Sequence, residues 1–194
     1  MSILETDGSR LLAAVAVLLD RKGLVSDEAI RERIALTDAA EPAQGARMVA
    51  RAWTDPDFRA AMLADGTQAA ESLGIMMRGM PPLGVLENTA AVHHLVVCTL
   101  CSCYPRAVLG YPPFWYKSAS FRARAVRNPR ELLASEWKTI VPASVKLRVV
   151  DSTADYRWMV LPLRPAGTDG WDEARLAAIV REGDMIGVTC PVAA

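Results

Sequence analysis

Charge of one sign is what this chain lacks: its 194 residues carry 22 Lys plus Arg against 22 Asp plus Glu. A nucleic-acid binder or a polybasic membrane surface needs a cationic excess, so no nucleic acid and no membrane is expected as a partner. Long hydrophobic runs are also missing. The longest, Leu11 to Leu19, falls well short of the roughly 20 apolar residues that cross a bilayer. A signal peptide is not expected either, because Glu5 and Asp7 stand where positive charge belongs and Asp20-Arg21-Lys22 stands where cleavage needs small residues. The run therefore reads as an amphipathic or buried helix, and the chain as cytoplasmic. Cysteine is scarce and unevenly placed: three of the four lie within Cys98–Cys103, and Cys190 is alone. That is no disulfide framework, and in a reducing compartment such a cluster favours metal or catalytic use, with Cys190 a free thiol. Repeats and low-complexity tracts are absent. A chain of this length buries about 70% of its unfolded surface, so its core needs no staple. Its 52% hydrophobic content is slightly high for a monomer and hints at a covered surface.

The first 75 or so residues read as helices. Leu11, Leu12, Val15, Leu18 and Leu19 recur at helical spacing, and Gly23 stops the run. Ser26 with Asp27 and Glu28 begins a second helix. Gly45 to Trp53 is a third, and Asp55-Pro56 starts a fourth, with Phe58, Met62 and Leu63 inward and the pattern continuing through Leu73 to a stop at Gly74. A loop from Met76 to Gly84 follows. The period then changes: Val85-Leu86 and Val92 to Val97 read as strands, the second apolar enough to be buried on both faces. Ser118 to Val126 and Pro129 to Ala134 are short helices. Val145–Asp151 and Tyr156–Leu163 are expected to pair as a hairpin through Ser152–Asp155. Trp171 to Glu182 is expected to be a helix ended by Gly183, and Met185 to Val188 a last strand. The fold class is α+β: an N-terminal helical arm over residues 1–40, then one globular mixed α/β domain over 41–194.

The chemistry sits in Val97-Cys98-Thr99-Leu100-Cys101-Ser102-Cys103, directly after the apolar strand. Thiolates are soft donors suited to transition metals, and a turn can bring Cys98 and Cys101 to one ion. Structural zinc is the plain alternative, yet zinc usually takes two separated pairs and there is no second pair here. The single-residue gap between Cys101 and Cys103 offers another set: three sulfurs plus the amide nitrogens of Ser102 and Cys103. Backbone amides give up protons only to a strongly Lewis-acidic, trivalent ion, and an open position on it would suit hydration or hydrolysis. His93 and His94 could donate, but their place in the feeding strand favours core or supporting roles.

At these residues the sequence resembles the α subunit of the nitrile hydratases, in particular the cobalt class, whose motif is Cys-Thr-Leu-Cys-Ser-Cys; the iron class typically has Ser where Thr99 stands. The likeness extends over Gly45–Gly74, Glu87–Val97, Leu109–Lys117, Phe121–Arg124, Asp151–Ala154, Arg164–Thr168 and Met185–Val188. The resemblance implies an α-β-β-α layered fold and hydration of an organic nitrile to the amide. It implies a low-spin Co(III) centre, with Fe(III) as the alternative, held by Cys98, Cys101 and Cys103 and by the nitrogens of Ser102 and Cys103. Cys101 as sulfinate and Cys103 as sulfenate would be the catalytic groups; Trp115 and Tyr116 would either line the substrate pocket, as the family implies for the Trp, or form an ordinary aromatic core cluster. It also implies a β-type partner of one or two chains, whose arginines meet the sulfur oxyanions, and a cobalt-insertion activator protein. The related thiocyanate hydrolase subunit shares the motif and is the nearest rival; a cobalt-carrying subunit inactive until paired is another.

Several residues depart from the family pattern. Arg106 stands where Trp is frequent, Tyr111 where Leu is common, and Leu163 where Glu is common. The Met76–Pro82 loop and Leu133–Trp137 also differ. These departures are expected around the substrate entrance and fit a bulkier or polar nitrile, such as the nucleoside toyocamycin. Arg122, Arg124 and Arg127 are expected in surface or interface pairs, and the Thr99 hydroxyl is expected to tighten the loop.

Overall fold

A computed structural model describes residues 3–193. The chain divides into two units, 1–39 and 40–194. The first holds α1 (Ile3–Arg21) and α2 (Asp27–Asp38). Gly23, at φ +64°, closes α1, with Lys22 N–H donating to Leu18 O and Gly23 N–H to Asp20 O. A left-handed residue costs glycine no Cβ clash there. The Ser26 side chain accepts the Ala29 N–H and so starts α2. The apolar stripe of α1 is largely exposed, Leu12 at 71%. No described helix is long and apolar enough to cross a membrane.

In the second unit, α3 (Pro42–Thr54) places proline at its first position and buries Met48, Val49 and Ala52. Two aspartates punctuate the next stretch of chain. Asp55 accepts the N–H groups of Asp57 and Phe58 and begins α4 (Pro56–Ala64); Asp65 accepts from Gln68 and begins α5 (Gly66–Ser72). The helical pattern expected to run through to Leu73 is thus broken into two helices at Asp65. Met62 is buried, while Phe58 and Leu63 are half-buried. Then come β1 (Leu83–Glu87), β2 (Val92–Val97), and the short α6 (Arg106–Leu109) and α7 (Phe114–Lys117). After these lie α8 (Ala119–Arg127), α9 (Pro129–Trp137), β3 (Lys146–Asp151), β4 (Arg157–Leu161), α10 (Glu173–Ala178) and a 3-10 turn at Glu182–Met185.

The strands form two two-stranded parallel sheets: β1 beside β4, Leu83 opposite Arg157, and β2 beside β3, Val92 opposite Lys146. The sheets touch through β2 and β4; α4 and α5 cover β1, whereas α8 and α9 cover β2 and β3. Helices thus flank paired sheets, as α+β requires. The expected β3–β4 hairpin does not form. The chain changes sheets between the two strands: Ser152 N–H donates to Val97 O, and the Ser152 hydroxyl accepts the Trp158 N–H. The later strands β4 and β3 lie parallel to β1 and β2, a pairing that suits a strand buried on both faces such as β2. Strand β1 starts at Leu83, inside the expected loop. Residues 185–188 form no strand, because the Gly183 carbonyl gathers the N–H groups of Gly187 and Val188 into a tight turn. The helix expected over 171–182 is confined to α10.

One buried polar network fixes β2. The Gly187 carbonyl can only accept, so His93 carries its proton on Nε2, 2.8 Å away, and takes Asn88 Nδ2–H at Nδ1. Asn88 Oδ1 accepts both the His94 amide, at 2.7 Å, and His94 Nδ1–H, at 3.2 Å. Both imidazoles are thereby neutral and oriented. Burial pushes both pKa values down, and the charges of Arg130 on His93 and Arg148 on His94 act in the same direction. A lowered folded pKa means that the unfolded chain binds more protons. The stabilisation is therefore complete above the unfolded imidazole value, about 6.5, and is lost as pH falls below it. Denaturant midpoints compared at pH 7.5 and pH 5.5 should be clearly lower at pH 5.5; equal midpoints would remove this network from the stability balance.

Candidate metal centre

Strand β2 delivers Val97 into Cys98; the chain then turns outward and re-enters at Cys103 and Tyr104. Cys98 and Cys103 are buried, and Cys101 is exposed. Their sulfurs lie within 4.8 Å of one another, Cys98 to Cys101 at 3.5 Å and Cys101 to Cys103 at 3.1 Å. None is in a disulfide. Neighbouring elements clamp the loop at each turn. Asp151, the last residue of β3, accepts the Thr99 amide at 3.0 Å and also the Thr99 hydroxyl. Arg122 of α8 donates to the Leu100 carbonyl at 2.9 Å. Tyr116 of α7 donates to the Cys103 carbonyl at 2.8 Å, and Tyr104 donates to Glu182 Oε1 at 2.5 Å.

The loop turns its own amides inward too. The Cys101 N–H donates to Cys98 Sγ at 3.2 Å, and the Ser102 and Cys103 amides lie close enough to the Cys101 sulfur to favour its thiolate. Hydrogen bonds from Cys103 and Cys98, helped by these amides, lower the Cys101 pKa. Burial, with Cys101 and Cys98 adding to it, pushes Cys103 up to about 12. The Cys101 thiolate therefore forms readily, and the Cys103 proton stays until a cation compensates the charge. This donor set fits a metal ion. It also bears on geometry: with metal–sulfur bonds of about 2.3 Å, two sulfurs at right angles sit about 3.3 Å apart, and in a tetrahedron about 3.8 Å. The observed 3.1 and 3.5 Å bracket the right-angle value.

The expected substrate residues sit behind the loop. Trp115 packs edge-on in a cluster with Tyr116, Phe121 and Trp137, at centroid distances of 5.0 Å to each of the last two. Tyr116 is fully buried, with its hydroxyl spent on Cys103. His93 and His94 point into the network under β2 and do not join the sulfurs. Arg124 makes surface pairs with Glu136 and Glu131. Asp151 and Glu182 are loop supports that the sequence does not single out, the Asp-Ser-Thr-Ala run marking Asp151 only as family-like; Arg122, expected in a surface or interface pair, donates to the Leu100 carbonyl.

Asp151 satisfies two donors of Thr99 with one carboxylate, each such charge-assisted bond being worth about 1.5–3 kcal/mol at best and less when exposed. Asp151→Ala should therefore speed loss of the bound metal to a chelator by about tenfold, followed spectroscopically, with the overall fold kept. An unchanged release rate would show that the other clamps suffice.

A loop that gathers three sulfurs and successive amides about one point defines a metal-binding cysteine cluster, and comparison with known proteins gives it a family. Residues 6–189 match the family described as nitrile hydratase, alpha chain. The chain is 46% identical over 180 residues to the cobalt-containing nitrile hydratase subunit alpha of Pseudonocardia thermophila, covering 93% of this chain and 88% of that one. It is 41% identical over 197 residues to the thiocyanate hydrolase subunit gamma of Thiobacillus thioparus, covering 96% and 81%. Among solved structures, a double mutant of the Fe-type nitrile hydratase from Comamonas testosteroni Ni1 superposes with a TM-score of 0.82 at 40% identity, over 100% of this chain and 93% of that one. The chain belongs to the nitrile hydratase α-chain family. Cobalt-containing and Fe-type members both lie within its reach.

Proposed function

We propose that this chain is the metal-carrying α subunit of a cobalt nitrile hydratase that converts an organic nitrile to its amide. The observation that carries this is the convergence of the Cys98, Cys101 and Cys103 sulfurs within 4.8 Å of one another in one short loop. In this reading those residues hold Co(III) through three sulfurs and two backbone nitrogens, and Thr99 in the motif favours cobalt over iron. When bound, the ion supplies Lewis acidity toward the nitrile. Oxidation of Cys101 to sulfinate and Cys103 to sulfenate, with dioxygen or a peroxide as oxidant and oxygen source, would reduce what the sulfurs donate and would leave the Cys103 oxygen as nucleophile or base. Tyr116 and Arg122 hold the loop's carbonyls, so that the sulfurs keep their spacing as charge develops. Trp115 forms part of the substrate wall.

The exposed Cys101 and the 87% exposed Leu100 leave the outer face of the loop uncovered in the single chain. A β-type partner covers it and brings cations to the sulfur oxyanions, since such groups are costly to bury unpaired. Four free cysteines suit the reducing cytoplasm. A cobalt-insertion activator protein loads the site, as a substitution-inert ion demands. The test is co-expression with the partner subunit, followed by metal analysis, peptide mass spectrometry of Val97–Tyr104, and parallel assays on an organic nitrile and on thiocyanate. Stoichiometric cobalt, two oxidised cysteines and amide production are expected. Hydrolysis of thiocyanate alone would make the chain a thiocyanate hydrolase subunit; zinc with unoxidised cysteines would overturn the proposal.

A further inference from the structure

We propose that Glu182 is a positioning residue for the metal centre: it acts through Tyr104 to hold the exit of the cysteine loop, and so fixes where the Cys103 sulfur sits. The inference rests on the hydration reading above and adds to it a residue that touches neither metal nor substrate.

Three observations carry it. The first is the contact itself. Tyr104 follows Cys103 directly and is buried, and its hydroxyl donates to Glu182 Oε1 at 2.5 Å, a bond that reaches across 78 residues of chain. A phenol donating to a carboxylate makes a charge-assisted bond, among the stronger kinds a side chain can form. The second is that the neighbours remove the remaining freedom. The Tyr104 ring packs edge-on against Tyr116, with centroids 4.9 Å apart. The Tyr116 hydroxyl holds the Cys103 carbonyl, and the Tyr104 carbonyl accepts the Arg106 N–H at 2.8 Å. With both carbonyls anchored, the Tyr104 side chain sets how the backbone leaves Cys103, and with it the approach of Cys103 Sγ to Cys101 Sγ.

The third is where Glu182 comes from. It opens the 3-10 turn at Glu182–Met185, and the chain just beyond that turn grips the strand that enters the loop. Ile186 O accepts the Val96 N–H at 2.9 Å, and Gly187 O accepts His93 Nε2–H at 2.8 Å. The short stretch 182–187 therefore holds the entry through β2 and the exit through Tyr104. A single clamp on both ends keeps their separation constant, which three sulfurs closing on one ion require. Supports of this kind, outside the ligands themselves, typically carry about 10–100-fold in metal affinity or activity.

The test uses the complex with its partner subunit, metal-free and cobalt-loaded, in wild type, Glu182→Ala, Glu182→Gln, Tyr104→Phe and the double variant Glu182→Ala/Tyr104→Phe. Thr139→Val is the reference, because the Thr139 hydroxyl tethers the far end of the same stretch by donating to Val188 O at 2.8 Å. In the metal-free complex, Glu182→Ala should raise the initial rate of Cys103 alkylation by iodoacetamide about tenfold, read by peptide mass spectrometry. In the loaded complex it should release cobalt to a chelator about tenfold faster, shift the sulfur-to-metal absorption band, and lower kcat with KM little changed. A factor of ten corresponds to about 1.4 kcal/mol, within the reach of one hydrogen bond to a charged group. Glu182→Gln keeps an acceptor for the phenol and should recover most of each loss. Tyr104→Phe should reproduce Glu182→Ala, and the double variant should be no worse than either single one, since both break the same bond. Thr139→Val should lower the denaturant midpoint and leave Cys103 alkylation at the wild-type rate. Additive losses in the double variant, or a Glu182→Ala complex indistinguishable from Thr139→Val, would overturn the proposal. Cobalt retained in the wild type without nitrile turnover would sink the hydration reading, while the alkylation and release rates would still decide the role of Glu182.

Discussion

If the chain works as the proposed cobalt nitrile hydratase, Cys103→Ala is expected to leave the purified complex with less than a tenth of the wild-type cobalt and with no measurable amide production. Its sulfur sits 3.1 Å from that of Cys101 and is buried, and burial there pushes its proton affinity up to about 12. An unaided thiol in that setting keeps its proton at neutral pH, so deprotonation must be driven by the ion itself, and the metal and the thiolate form together. Removing the sulfur removes a soft donor and opens one side of the three-sulfur cluster. Cys103→Ser separates the two contributions: it keeps the volume and a hydrogen-bonding atom but supplies a hard, poorly ionised donor, so it should also fail to retain cobalt. Cys190→Ala, at an exposed free thiol outside the cluster, should retain full cobalt. Circular dichroism should show the apo variants folded, since 194 residues bury a core that needs no metal staple. Cobalt content above half of wild type in Cys103→Ala would overturn the ligand assignment.

What makes this site legible in sequence is that it is local. Three cysteines in six residues carry their geometry with them, and the caps at Ser26 and Asp55 work the same way, because each satisfies N–H groups two or three residues on. The features that do not show are non-local. Asp151 reaches Thr99 across 52 residues, and the pairing that brings it there, β3 alongside β2, leaves no periodicity to separate it from a hairpin with β4. Ser152–Asp155 has the composition of a turn, and it does turn the chain, but between sheets. Tyr116 reads equally as a substrate residue, from the resemblance, or as part of an aromatic core cluster; the structure buries it and spends its hydroxyl on a carbonyl. The residues after Met185 have a strand's composition. Their backbone is claimed instead by one carbonyl, that of Gly183, a competition that no side-chain pattern reports.

Gly187→Ala should be the most damaging substitution outside the cysteine loop. Gly187 sits at φ +86°, and an added Cβ would lie 1.9 Å from the His94 carbonyl oxygen and 3.3 Å from the Leu95 Cα. Left-handed strain alone costs about 1–2 kcal/mol. The contact is with backbone, so no rotamer relieves it; either β2 moves or the turn after the 3-10 segment opens. Both outcomes break the bond from His93 Nε2 to Gly187 O and the nearby bond from Val96 N–H to Ile186 O, leaving buried polar groups unpaired. The summed cost is expected to reach about 4 kcal/mol or more, among the largest seen for single substitutions. Because β2 runs directly into Cys98, cobalt should be lost along with stability. Gly167→Ala supplies the control. Its φ is +79° and nothing lies within 4 Å of an added Cβ, so it carries the backbone strain without the clash. Denaturant midpoints should fall slightly for Gly167→Ala and severely for Gly187→Ala, with cobalt retained only in the first. Equal small losses in the two variants would mean that β2 yields to the added methyl, and that the close approach of the C-terminal turn does not hold the strand that feeds the metal loop.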